Sequence, residues 1–187
     1  LTAWYPGEEG GAAIADVLFG NYNPSGRLPI SIPRSVGQIP VYYNKSNPQG
    51  HNYVELTAQP LYNFGYGLSY TQYEYKDIIV TQHAPFDVEV SFTLKNCGEY
   101  DGEEVAQLYL RDEVASVVQP VKQLKHFEKV FLKKGEEKQI NFRLNNDDFS
   151  IINKDIKRCV EPGDFTLMVG SASDHIKLTK KITITSK

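Results

Sequence analysis

Glu8 and Glu9 are adjacent carboxylates, the side-chain type that can serve as general acid and base. They follow the chain break Tyr5-Pro6-Gly7. Ile14, Val17 and Leu18 then recur at helical spacing and Gly20 follows, so the pattern predicts one short helix with both ends marked. In the first turn of such a helix the macrodipole favours the ionised carboxylate, whereas a proton donor needs the opposite shift. Sequence neighbours on a helix also point about 100° apart, so they cannot flank one bond from opposite sides. Helix capping is therefore the role expected of Glu8 and Glu9. Asp16 is expected to face solvent, opposite the apolar stripe, and Glu55 sits in an irregular stretch; both read as structural.

The remaining chemistry-bearing types are scattered. His51, His83, His126 and His175 form neither the HxH nor the HxxxH spacing that brings two imidazoles to one metal, and they read as surface residues. Cys97 and Cys159 form no CxxC unit and read as ordinary residues. The glycines of PGEEGG and FGYG lack the arrangement that cradles phosphate, and read as turning and packing positions. Asn44-Lys45-Ser46 is formally a glycosylation acceptor, a triplet common by chance. No metal and no cofactor is expected. The richest candidate is an aromatic group, Tyr42, Tyr43, His51, Tyr53, Tyr62, Phe64, Tyr66 and Tyr70, whose rings could stack on sugars or pack between domains. Packing is the favoured reading, with His51 and Tyr53 the positions to border a sugar site.

The elements that must hold these residues fall into three stretches, 1–34, 35–72 and 73–187. After the helix, Asn23-Pro24-Ser25-Gly26 reads as a turn, and Leu28, Ile30 and Ile32 alternate with Pro29, Ser31 and Pro33 as in a short edge strand. Residues 35–72 lack sustained periodicity and read as an aromatic-rich connection lying over a neighbouring surface. From Tyr73 the period becomes two. Val88, Val90, Phe92 and Leu94 share one face, and the same alternation recurs around Leu108, Phe142, Leu167 and Ile182. Turn signals separate these runs, and no stretch is long enough for a crossover helix. A mainly β fold follows, an immunoglobulin-like antiparallel β-sandwich with one helical turn at Asp147-Asp148-Phe149.

The chain has 187 residues, enough for one well-buried domain and a smaller unit, with 41% hydrophobic and 23% charged residues. Its net charge of −3 is spread along the sequence, which argues against nucleic acid as a partner. No run approaches the ~18 apolar residues of a membrane span, so no membrane partner is expected. The sequence starts at Leu1, and reads as a processed product or a piece of something longer.

The segments AWYPGEEGGAAIADVLFGNYNPSGRLPISIP (3–33), PLYNFGYGLSYTQYEY (60–75), GEEVAQLYL (102–110), QPVKQLKHFEKVFLKKGE (119–136) and EPGDFTLMVGSAS (161–173) together resemble the C-terminal part of family 3 glycoside hydrolases. The departures are small: Asn63 where the family usually has Pro, and Cys97 where Thr is more usual. The resemblance implies that residues 1–34 are the remnant of an α/β sandwich domain and that the β-sandwich is fibronectin-type-III-like. It also implies retaining hydrolysis of terminal β-glucosyl or β-xylosyl residues, chemistry that needs two carboxylates about 5 Å apart. In the family both belong to upstream domains, so the resemblance carries no catalytic, substrate-binding or metal residue onto this sequence. The implied role is to brace the upstream catalytic domains, which would be the chain's partners and would engage β-linked oligosaccharide. The alternative is a carbohydrate-binding module that targets the enzyme to polysaccharide, disfavoured because the strands show no obvious row of outward aromatics. A periplasmic or extracellular setting follows from the family's substrates. The exposed N-terminal remnant offers a route to a homodimer.

Overall fold

The structure is a computed structural model that describes residues 1–46 and 54–185. Two antiparallel sheets face each other. One holds β1 (Tyr73–Ala84), β2 (Asp87–Asn96) and β5 (Glu137–Leu144), in the order β1-β2-β5; the other holds β3 (Gly102–Asp112), β4 (Gln123–Leu132), β8 (Gly163–Ala172) and β9 (His175–Ile184), in the order β4-β3-β8-β9. A small hairpin, β6 (Ile151–Ile152) with β7 (Arg158–Cys159), stands apart. β1–β2 and β8–β9 pair through short turns and β3–β4 through the longer connection 113–122, and all the ladders are antiparallel, as strands without crossover helices must be.

The core is the inner face of both sheets. Val88, Val90, Phe92 and Leu94 of β2 meet Ala106, Leu108 and Leu110 of β3 and Phe165, Leu167 and Val169 of β8. Each large side chain removed from water contributes about 1.5–3 kcal/mol, so the alternation seen in the sequence is what sets this register. Tyr75, Phe92 and Phe142 continue through the middle as ring pairs at 5.9 Å. At one end α2 (Asn146–Phe149) is a single capped turn, and delivers Phe149 onto Phe165 at 5.1 Å. Its capping box is complete: the Asn145 side chain accepts from Asp147 N at 2.8 Å, and Asn145 N donates to Asp148 at 2.9 Å.

Several expectations are corrected. The helix α1 spans Gly10–Phe19 and ends on Gly20 in the left-handed region, φ 83°, as the sequence indicates. However, Glu9 occupies the N-cap without any side-chain capping bond, and Glu8 lies outside the helix, so neither carboxylate caps it. Glutamate's longer side chain suits the cap position less well than Ser, Thr, Asp or Asn. Residues 28–32 form no strand: Ile32 makes an isolated bridge with Tyr62, because Pro29 and Pro33 have no N–H to extend a ladder. The alternation reading also passed over β1, β4, the β6–β7 hairpin and the 3₁₀ turn Val36–Gln38. The outward faces are not free of aromatics either. Phe127 and Phe131 are exposed on the edge strand β4, about 13 Å apart at strand rise.

β8 and β9 approach closely at Gly170, where an added Cβ would sit 2.2 Å from the His175 carbonyl oxygen. Backbone cannot retreat from such a contact without breaking the ladder. Gly170→Ala is expected to cost about 2 kcal/mol of stability, read as a lower midpoint with an unchanged slope in urea unfolding.

Candidate functional site

The functional question turns on how the first 72 residues meet the sandwich, and Glu104 answers much of it. It lies on the core face of β3 and is 2% exposed, an expensive place for a carboxylate unless it is paired. Arg27 reaches in from the N-terminal segment and places one guanidinium nitrogen 2.5 Å from Glu104. The Tyr75 hydroxyl donates to the other carboxylate oxygen at 2.7 Å. Arg27 also donates to the Gly67 carbonyl at 2.9 Å, so a single side chain ties the N-terminal segment, the connection and the sandwich together. Beside this pair, Ser25 donates to Glu103 at 3.0 Å and Asn23 donates to the Asp101 carbonyl at 2.9 Å.

The connecting segment lies along the outer face of the four-stranded sheet. Tyr43 stacks on Phe64 at 4.2 Å and meets Tyr109 edge-on at 6.0 Å, and its hydroxyl accepts from Leu124 N at 3.1 Å. Gln107, buried beneath, donates to the Ser171 carbonyl at 2.6 Å and accepts from Tyr109. A Cβ on Gly65 would lie 2.6 Å from the Gln107 amide, so glycine is needed where the connection crosses the sheet. Gln38 closes the connection on itself, donating to the Thr57 and Gln59 carbonyls at 2.9 Å and accepting from Arg34 N at 2.7 Å. At the junction, buried Asn96 accepts from Thr71 at 2.6 Å and donates to the Tyr100 and Leu132 carbonyls.

Of the aromatic group, Tyr43 and Phe64 are thus packing residues. Tyr62 and Tyr66 pair with each other at 4.8 Å, the Tyr70 hydroxyl donates to the Val17 carbonyl, and Tyr42 stays exposed. His51 and Tyr53 lie outside the described residues. Glu8, Glu9, Asp16 and Glu55 are all exposed and are not brought together; Asp16 accepts from Asn21 at 3.1 Å. His83 faces Glu89 at 3.0 Å, His126 faces Asp148 at 3.3 Å and His175 faces Ser171 at 2.8 Å, three separate pairings. Among the described residues no group of three His, Cys, Asp or Glu could hold a metal. Cys97 and Cys159 are both free thiols. Glu104, Gln107, Gln38 and Asn96 escaped the sequence reading because a polar residue in a strand or loop carries no pattern that marks it as buried. Arg27 gave no sign that it would be the partner of Glu104.

A cleft of 560 Å³ opens between the connection and the sheet, with Tyr42, Lys45, Asn63, Arg111, Lys122 and Asp174 on its walls. Its walls combine aromatic and charged side chains.

Comparison with known proteins fits this two-part construction. Residues 1–70 match the glycosyl hydrolase family 3 C-terminal domain, and residues 104–173 match the fibronectin type III-like domain. The chain corresponds to the C-terminal region of glycosyl hydrolase family 3 proteins. It is 45% identical over 191 residues to a periplasmic β-glucosidase of Salmonella typhimurium, an alignment covering 95% of this chain and 25% of that protein. It is 41% identical to a β-xylosidase of Formosa agariphila, covering 100% of this chain and 27% of that one. The structure of a Listeria innocua β-glucosidase in complex with glucose superposes with a TM-score of 0.91 at 37% identity, over 99% of this chain and 28% of that one. The chain thus spans about a quarter of the length of these relatives.

Two tests of the junction follow. Arg27→Ala leaves Glu104 buried and unpaired, and is expected to cost about 3–5 kcal/mol in urea unfolding. The double variant Arg27→Met with Glu104→Leu should recover most of that loss, whereas removing the exposed Lys134–Glu99 pair should change stability by less than about 1 kcal/mol. The second test is alkaline. Burial, the largest cause, lifts the Tyr73 phenol to about 12, and Glu104 adds to it. Its folded-state pKa is above the unfolded value of 10.0, so its stabilisation is complete below pH 10 and is lost as pH rises towards 12. Unfolding midpoints measured against pH should fall across that window, and fall less steeply in Tyr73→Phe.

Proposed function

We propose that this chain is a non-catalytic C-terminal region of a family 3 β-glycosidase and that it braces the catalytic domains of the same polypeptide. The parent activity in this reading is retaining hydrolysis of terminal β-glucosyl or β-xylosyl residues, the two activities carried by the names of its relatives. One observation carries the bracing role. The N-terminal segment is locked to the sandwich through Arg27 and Glu104, yet α1 and the residues before it leave apolar surface uncovered: Trp4 is 61% exposed, Leu18 62% and Phe19 83%. A segment fixed on one side and apolar on the other is built to transmit position from the sandwich to a further layer of protein. In this reading residues 1–34 are the end of an α/β sandwich domain, 35–72 the connection, and 73–187 the fibronectin-type-III-like domain. In this reading no residue of the chain takes a catalytic, substrate-binding or metal role in the parent's hydrolysis, and it uses no cofactor.

A relative named as periplasmic supports a periplasmic or extracellular setting. The exposed α1 face offers the route to a homodimer when nothing else covers it. The second reading, a module that targets the enzyme to polysaccharide, draws on Phe127 and Phe131, the exposed rings of β4.

Hydrolysis of aryl β-glucosides and β-xylosides decides the principal reading. The chain alone is expected to release no phenol above the uncatalysed rate, while a polypeptide extended to the family's full length turns over. Phenol release by the chain alone would refute the non-catalytic assignment. Saturable binding of neutral xylo- or gluco-oligosaccharides, lost in Phe127→Ala, would favour the targeting module.

A further inference from the structure

The cleft between the connection and the four-stranded sheet has a charge balance that the bracing role does not use. Lys45, Arg111 and Lys122 line it against a single carboxylate, Asp174. Lys122 is half-buried: desolvation, the largest cause, holds its ammonium below the usual lysine range, and Arg111 pushes in the same direction, while Asp174 acts against both. Its hydrogen bond goes to a neutral group, the Ser173 carbonyl at 2.5 Å. Among the described residues it makes no ion pair. Asp174 already accepts from Asn63 at 2.6 Å, which fixes the carboxylate at the wall. Arg111 is held through Nε, 3.3 Å from Glu113, and Glu113 in turn accepts from Thr166. A partly buried cation that hydrogen-bonds only a neutral carbonyl and makes no ion pair is costly, and an anion entering the cleft relieves that cost. Guanidinium and ammonium groups also match a carboxylate in geometry and charge.

The other walls suit a sugar. Tyr42, next in the chain to the stacked Tyr43, lines the cleft and is 64% exposed; an exposed tyrosine ring is of the kind that packs on a pyranose. Asn63 and Asp174 supply amide and carboxylate groups for hydroxyls. The volume, 560 Å³, lies within the range of ordinary small-ligand sites.

We propose that this cleft binds an acidic β-linked oligosaccharide, with a uronic acid carboxylate set between Arg111 and Lys122 and a neighbouring sugar against Tyr42. The proposal rests on the β-glycosidase reading for its choice of ligand class. It assigns to the chain a recognition of charged branches that is separate from hydrolysis at the parent's catalytic centre.

Isothermal titration of the chain tests it with three probes: xylotriose carrying one glucuronic acid branch, unbranched xylotriose, and glucuronic acid alone. The branched probe is expected to bind at least about tenfold more tightly than either of the others, and to weaken as salt is raised. Arg111→Gln and Lys122→Gln should each abolish that preference, with unfolding midpoints showing that both variants remain folded. Tyr42→Ala should weaken the branched and unbranched probes together. Equal binding of the two trisaccharides, binding that survives both cation substitutions, or silence with all three probes would overturn the proposal. Hydrolysis of aryl β-glycosides by the longer polypeptide is measured independently, so it can succeed while this proposal fails.

Discussion

A carboxylate in the interior of a β-sandwich needs a partner, and Glu104 finds its cation outside the sandwich. The strand that carries it can bury Ala106, Leu108 and Leu110 unaided, but Glu104 on the same face requires Arg27, which is far away in sequence. Folding of the sheets therefore selects one position for the N-terminal segment. The hydrogen bond from Arg27 to Gly67 draws the connection into the same arrangement. Such a pair adds little net stability over an apolar substitute of equal volume. What it contributes is geometric, since only one placement of residues 23–27 satisfies it.

The second consequence concerns the four-stranded sheet. Its inner face meets the three-stranded sheet, and part of its outer face is covered by Tyr43 and Phe64 lying over Gln107 and Tyr109. β3 is accordingly buried on both sides through its middle, as a central strand covered on both faces should be. The connection is a third layer rather than a flexible spacer, closed by Gln38 and pinned at its end by Thr71 on Asn96. Where the layer lifts from the sheet, the cleft beside Lys122 opens.

How much of this was legible depended on whether burial left a periodic trace. β2 and β5 alternate cleanly because one face is in the core and the other in water, and both could be read directly. β1 has a register shift between Lys76 and Ile79, with Asp77 at φ 55°, which changes the phase halfway along and hides the strand. On β4 burial is confined to Val130 and Leu132, too short a run for alternation to register. Resemblance to a family pointed to the sandwich, but not to the contacts that join it to the first 72 residues. Arg27–Glu104, Gln38 and Asn96 are pairings between distant positions, and a single sequence does not record which distant positions meet. The cleft was illegible for the same reason, since its cations come from three separate segments.

The edges of the four-stranded sheet, β4 and β9, carry lysines: Lys125 and Lys129 on one, Lys177, Lys180 and Lys181 on the other. Repulsion between such rows opposes the strand-by-strand stacking that turns open sheets into fibrils. The uncovered apolar residues of α1, Leu18 and Phe19, sit on a helix whose backbone is already satisfied and cannot template another sheet. Any contact between copies made through α1 would rest on side chains alone and part again on dilution, a reversible stickiness rather than an ordered growth.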